Sequence, residues 1–142
     1  MLCSISHELR SPVNQINGVL SLLQPTLKSY EQRRLLKIAN SSTEMLRIKI
    51  NDMLDYYEIE TKGFKPEIVK FYPREQLKFL ESLFNPLIDK TSVKLFFFVK
   101  EQTPRYVYHD QKRIMQILVN LLSNAIKYTK KGRILLMVDW KE

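Results

Sequence analysis

The chain has 142 residues, a formal net charge of +8, and a composition that is 44% hydrophobic and 27% charged. These fractions are ordinary for a globular protein, and a domain of this length buries roughly 70% of the surface of its unfolded chain. The single cysteine, Cys3, excludes an internal disulfide and a cysteine-rich metal site. No apolar run approaches the roughly 20 residues that cross a bilayer, and no signal-peptide pattern opens the sequence.

Two long amphipathic helices are predicted first, over Leu2–Leu27 and Glu31–Thr61, with Pro25 and Ser29 marking the turn between them. Such a hairpin covers only half of its own apolar stripe, so two copies are expected to close a four-helix bundle as a homodimer. In the first helix two apolar rows repeat every seven positions: Leu2, Leu9, Ile16 and Leu23, and then Val13, Leu20 and Leu27.

Residues 63–66 form a linker around Gly63 and Pro66, after which helical and strand patterns alternate. This mixture predicts an α/β sandwich with helices on one face of a sheet. We therefore expect an α+β chain with a helical hairpin at 1–62 and a second domain at 67–142. The predicted elements of that domain are strand Glu67–Tyr72, helix Pro73–Lys90, strands Val93–Lys100 and Arg105–Tyr108, helix Asp110–Tyr128 and strand Arg133–Trp140.

His7 lies near the start of the first predicted helix, one place past an inward position. The residues seven apart from it, Asn14, Ser21 and Lys28, are all polar, so the imidazole is expected to face water. A neutral imidazole is a nucleophile, and the adjacent Glu8 is placed to take a proton from the ring. An isolated His-Glu pair on an exposed helix more often has no role, and no second histidine follows four places on, as a zinc site requires.

The whole string SISHELRSPVNQI closely resembles the H-box of sensor histidine kinases. The resemblance implies that His7 is the phosphoacceptor and Glu8 the general base for its phosphorylation. It also implies that Pro12, inside the helix, supplies a bend. Ser11 occupies the position, four residues after the histidine, where many members carry Thr or Asn and use it to dephosphorylate a partner receiver domain. Ser11 keeps a hydroxyl and is a possible phosphatase position.

A second group of polar residues lies on the predicted helix DQKRIMQILVNLLSNAIKYT, where Asn120, Asn124 and Lys127 share a face. An amide carbonyl suits Mg²⁺, a lysine suits phosphates, and the ring of Tyr128 offers a flat surface to a purine. Two asparagines on a solvated helix face carry little weight alone. We expect the apolar stripe of this helix on its opposite face: Ile114, Ile117, Leu118, Leu121, Leu122, Ala125 and Ile126.

This segment closely resembles the N-box of the same kinases. The run that precedes that box in the family is matched by Asp110, Arg113, Ile114 and Gln116. The resemblance implies that Asn124 ligates Mg²⁺, that Asn120 and Lys127 contact the phosphates of ATP, and that Tyr128 lines the adenine site.

The resemblance implies two-component signalling by ATP-dependent histidine phosphorylation and transfer to a response-regulator receiver domain. The family's glycine-rich nucleotide boxes, however, have no match among Gly18, Gly63 and Gly132. We therefore expect residues 1–142 alone to be incompetent for autophosphorylation, with an incomplete site for ATP and Mg²⁺. The alternative is a non-catalytic dimeric phosphoacceptor module that docks a receiver. Localisation is expected to be cytoplasmic, or the cytoplasmic portion of a membrane sensor.

The basic charge also raises nucleic-acid binding as a third interpretation. The lysines and arginines are scattered along the sequence rather than gathered into one arm, whereas binding to a phosphate backbone favours a continuous basic face. No nucleic-acid partner is therefore expected.

Overall fold

The computed structural model describes the backbone of residues 2–63, 65–88 and 91–141, and the side chains in these ranges except those of residues 2–7, 58 and 62. The chain divides into two compact units, Met1–Lys65 and Pro66–Glu142. The combination of a helical hairpin with a mixed unit of helices and strands confirms the predicted α+β class. Within the described ranges, no helix combines the length and apolar character needed to cross a membrane.

The first unit is a hairpin of helices α1, Leu2–Leu23, and α2, Tyr30–Lys62, joined through a short 3₁₀ turn at Gln24–Thr26. α1 continues through Pro12 and ends at Leu23, not at the predicted Leu27. The early end follows from Pro25, which has no N–H to continue the helical hydrogen bonds. Thr26 Oγ1 instead donates to the carbonyl oxygen of Leu23 at 2.7 Å.

A capping box fixes the start of α2. Ser29 Oγ accepts from the backbone N–H of Gln32 at 3.1 Å, and Gln32 Oε1 accepts from the backbone N–H of Ser29 at 3.1 Å. These bonds satisfy two donors that the first helical turn leaves without intrahelical partners.

We therefore expect Ser29→Ala to lower the free energy of unfolding of the hairpin by about 1 kcal/mol. Urea unfolding followed by the helical circular dichroism signal measures this change. Ser42→Ala is the matched control, because Ser42 is exposed inside α2 and caps nothing. Equal losses in the two variants would contradict the capping role.

Within one hairpin, only part of the predicted apolar seam is covered. Val13 of α1 is 3% exposed, and Leu36, Ile50 and Leu54 of α2 are also buried in this hairpin. Across the same hairpin Arg10 Nη2 donates to Asn51 Oδ1 at 3.3 Å. The other row remains on the surface: Leu9, Ile16 and Leu23 are 41%, 47% and 44% exposed.

In the second unit the predicted elements appear in the predicted order, although residues 89 and 90 lie outside the described part. Their bounds are β1 Val69–Phe71, α3 Pro73–Ile88, β2 Val93–Val99, β3 Val107–His109, α4 Gln111–Tyr128 and β4 Gly132–Val138. β1 pairs antiparallel with β3, and β2 pairs parallel with β4, so the described strands form two separate ribbons rather than one sheet.

Helix α3 supplies most of the core of this unit. Its buried residues recur at three- and four-residue steps along one face, as expected for an amphipathic helix. They are Pro73, Leu77, Leu80, Leu83, Phe84 and Ile88. The other buried apolar residues of the unit are Phe71 of β1, Val93 at the start of β2, and Val119 and Leu122 of α4. This packing fixes which face of α4 turns inward.

Candidate functional site

The H-box segment occupies the first half of α1. The backbone of His7 is helical, and its side chain lies outside the described part of the chain, so its predicted exposure stays a prediction. The later members of the same row, Asn14 and Ser21, are both exposed. This side of α1 is therefore solvated beyond the first turns, while Val13 faces α2.

The residues that follow His7 present a polar surface. Glu8, Ser11 and Pro12 are exposed, whereas Arg10 is half-buried and bonded to Asn51. A shallow surface depression begins here, lined by Arg10, Ser11, Asn14 and Gln15. The bond between Arg10 and Asn51 joins residues far apart in sequence, and no local pattern in the sequence indicated it.

Asp110 organises the start of the N-box helix. It is 4% exposed, and its Oδ1 caps α4 by accepting from the backbone N–H of Arg113 at 3.1 Å. Its Oδ2 accepts from Arg113 Nε at 3.0 Å and from the backbone N–H of Glu67 at 3.1 Å. Burial by itself raises the pKa of Asp110, but these hydrogen bonds and the Arg113 charge outweigh it and hold the pKa below its ordinary value.

The predicted nucleotide-binding residues lie on the outer side of α4. Asn124, Lys127 and Tyr128 are exposed and Asn120 is half-buried, so the helix brings the four into one surface region. Lys127 Nζ lies 5.1 Å from the centroid of the Tyr128 ring, a cation–π contact that the sequence did not indicate.

The prediction that Ile117 and Leu121 belong to the inward apolar stripe of α4 is wrong. Ile117 and Leu121 are 58% and 60% exposed, on the same side of the helix as Asn124. The buried residues of α4 are instead Val119 and Leu122, on the opposite side of the helix, and α4 contacts α3 and β1. An apolar surface thus borders the polar residues of the N-box.

The chemistry of this surface fits part of a magnesium–nucleotide site. In the described part of the chain, no three His, Cys, Asp or Glu side chains are grouped so as to hold a metal ion. A Mg²⁺ ion here would take most ligands from phosphates and water, with the exposed Asn124 amide as one protein oxygen. Lys127 adds a positive charge for phosphates, and Ile117 and Leu121 add apolar surface.

Comparison with known proteins identifies the class. The His Kinase A (phospho-acceptor) domain model matches residues 1–62. Sensor histidine kinase RcsC of Escherichia coli is 37% identical over 137 residues, 96% of this chain and 14% of RcsC. Autoinducer 2 sensor kinase/phosphatase LuxQ of Vibrio cholerae is 38% identical over 133 residues, 94% of this chain and 16% of LuxQ.

The solved structure of Acinetobacter baumannii histidine kinase AdeS matches with a TM-score of 0.54 and 21% identity, covering 95% of this chain and 66% of that one. The fold is therefore that of a histidine kinase, a helical hairpin followed by a mixed α/β unit. The chain is a homologue of the sensor histidine kinases, with a His Kinase A phospho-acceptor domain at residues 1–62. This confirms the family predicted from the two motifs, and the chain spans about one seventh of the length of RcsC.

Proposed function

We propose that the chain acts in two-component signalling, with His7 receiving a phosphoryl group and passing it to an aspartate of a response-regulator receiver domain. The observation that carries this proposal is the placement of the H-box on α1. The residues in the row of His7, Asn14 and Ser21, are exposed, while Val13 beside them holds the helix against α2. A phosphoacceptor on the same row would be accessible to a donor and to a receiver.

The chemistry assigned to the H-box conserves charge and protons at each step. One ring nitrogen of neutral His7 attacks the γ-phosphorus of ATP, the bond to the ADP oxygen breaks, and Glu8 takes the proton from the other ring nitrogen. In the second step a carboxylate oxygen of the receiver attacks phosphorus, the N–P bond breaks, and the ring regains one proton from water, which restores neutral His7. Ser11, exposed one turn after His7, is the residue we assign to orienting water in a phosphatase step.

The N-box residues are assigned to the nucleotide. Asn124 would hold Mg²⁺ through its amide oxygen, Asn120 and Lys127 would contact phosphates, and Tyr128 would stack beside adenine. Mg²⁺, when bound, neutralises phosphate charge during phosphoryl transfer. Exposure of Asn124, Lys127 and Tyr128 supports the assignment, because each is accessible to a ligand from solvent.

The exposed row of Leu9, Ile16 and Leu23 supports a homodimer in which two hairpins close a four-helix bundle. Ile16→Lys is expected to convert this dimer to a monomer, because the lysine charge would be buried at the centre of the seam. Analytical ultracentrifugation of the full chain measures the change. Leu22→Lys is the matched control, since Leu22 is 76% exposed and lies on α1 away from the seam; a monomer in both variants, or in neither, would contradict this interface.

A second candidate for residues 1–142 taken alone is a phosphoacceptor and receiver-docking module without kinase activity, and it is favoured by the absence of a glycine-rich box from these residues. Two donors separate the candidates. Radiolabelled Mg-ATP should give no self-labelling of residues 1–142, whereas phosphoramidate, which phosphorylates histidines chemically, should load His7.

Addition of a receiver domain should then move the phosphoryl group to the receiver. Self-labelling by ATP would establish the kinase and remove the second candidate. Loaded His7 that passes nothing to any receiver would overturn both.

A further inference from the structure

The parallel ribbon of β2 and β4 has one apolar face that no other described element of the second unit covers. Phe96 pairs with Leu135 and Phe98 pairs with Met137, so the four side chains form a continuous outer sheet face. They are 48%, 60%, 54% and 50% exposed in that order. The alternate residues Leu95, Phe97 and Val99 are half-buried on the opposite face, where α3 contacts β2.

One end of the outer sheet face is cationic. Lys94 pairs with Arg133 at the start of the strands, both exposed, and the loop before β4 adds exposed Lys130 and Lys131. At the other end Lys100 Nζ contacts Asp139 Oδ2 at 2.6 Å, so the charge of this lysine is balanced. The apolar residues therefore lie beside four cations with no acidic residue among positions 130–138.

The area of this face argues against a second copy as its occupant. Each of the four side chains has on the order of 200 Å² and exposes about half, which gives roughly 400 Å². A stable protein interface takes about 800 Å² from each partner. Face-to-face pairing would also add a second set of the same cations, whose repulsion opposes association.

We propose that the outer sheet face binds an anionic lipid surface. Shallow insertion of apolar side chains combined with attraction of lysines to acidic headgroups is how peripheral proteins bind such membranes. Lysine suits this role because it is a mobile, hydrated point charge that needs no fixed partner geometry. Trp140, 46% exposed just beyond β4, adds an aromatic ring of the kind enriched at membrane interfaces. The proposal is independent of phosphotransfer at His7.

Vesicle co-sedimentation of the full chain tests the proposal. We expect binding to phosphatidylcholine vesicles that contain about 30% phosphatidylserine, little binding to pure phosphatidylcholine, and a several-fold decrease at high salt. The double variant Phe96→Ser, Phe98→Ser should reduce the bound fraction at least fivefold. Lys94→Gln with Arg133→Gln should reduce it on anionic vesicles only.

The matched control is Ile117→Ser with Leu121→Ser, which removes two equally exposed apolar side chains from α4 of the same unit. This control should bind vesicles as the unchanged chain does, and circular dichroism must show all variants folded. Equal binding to both vesicle types, or retained binding of the folded Phe96 and Phe98 variant, would overturn the proposal. A change of oligomeric state in that variant without lipid would assign the face to a second copy and would also overturn it.

Discussion

Replacing His7 by Gln is expected to reduce phosphoryl transfer from the phosphoramidate-loaded chain to a receiver domain to background. The amide of glutamine cannot form the phosphoramidate linkage, and the proposed function routes every phosphoryl group through this one ring. The measurement is the acid-labile, alkali-stable label on the chain before the receiver is added and the label on the receiver afterwards.

The chain provides its own control because it contains only one other histidine, His109. His109 is exposed at the end of β3, and its Nδ1 accepts from the backbone N–H of Asp110 at 2.8 Å. Phosphoramidate is expected to load this ring also. His109→Gln should nevertheless leave transfer to the receiver intact, because transfer requires docking on the hairpin. Transfer that survives His7→Gln and disappears in His109→Gln would place the phosphoacceptor in the wrong unit and contradict the proposal.

The two motif segments of the site could be predicted from the sequence. The H-box and N-box are short, contiguous strings, so their family and their helices followed from local patterns. Heptad spacing likewise predicted α1 and α2. Although the apolar periodicity continues to Leu27, α1 ends at Leu23, because Pro25 has no backbone N–H to continue the helical hydrogen bonds. Which residues of a helix lie inward depends on what packs against it, which local patterns do not contain. Ile117 and Leu121 were misassigned for that reason.

Long-range polar contacts were also beyond the sequence. Arg10 donates a hydrogen bond to Asn51, and Asp110 accepts one from the backbone N–H of Glu67. Each bond joins residues about 40 positions apart, which are brought together only by the folding of the chain. The sequence shows Asp110 only as part of a family pattern, whereas its structural role rests on the three N–H groups that donate to it. The roles of His7, Glu8 and Asn124 remain predictions, since they concern reactions rather than packing.

Asp110→Ala is expected to lower the free energy of unfolding of the second unit by about 2–4 kcal/mol. The substitution removes the cap of α4 and leaves the Glu67 N–H and the Arg113 guanidinium without this buried acceptor. Urea unfolding followed by the fluorescence of Trp140, the only tryptophan of the chain, reports on this unit. Asp139→Ala is the control: it removes a surface ion pair with Lys100 and should cost much less.

The charge of Asp110 predicts a pH dependence that a cap alone would not give. The pKa of Asp110 is lower in the folded chain than in the unfolded chain. The ionised carboxylate therefore contributes fully to the free energy of unfolding above the unfolded pKa of about 3.9, and this contribution is lost as the pH falls through the lower folded pKa. Asp110→Asn keeps an oxygen able to cap α4 but cannot ionise. Asp110→Asn should therefore lower the free energy of unfolding by less than Asp110→Ala does at neutral pH. Its free energy of unfolding should also decrease less steeply below about pH 4 than that of the unchanged chain. Suppose instead that the asparagine variant is as unstable as the alanine variant and loses stability below about pH 4 as the unchanged chain does. That result would show that neither the cap nor the charge of Asp110 stabilises the start of the N-box helix.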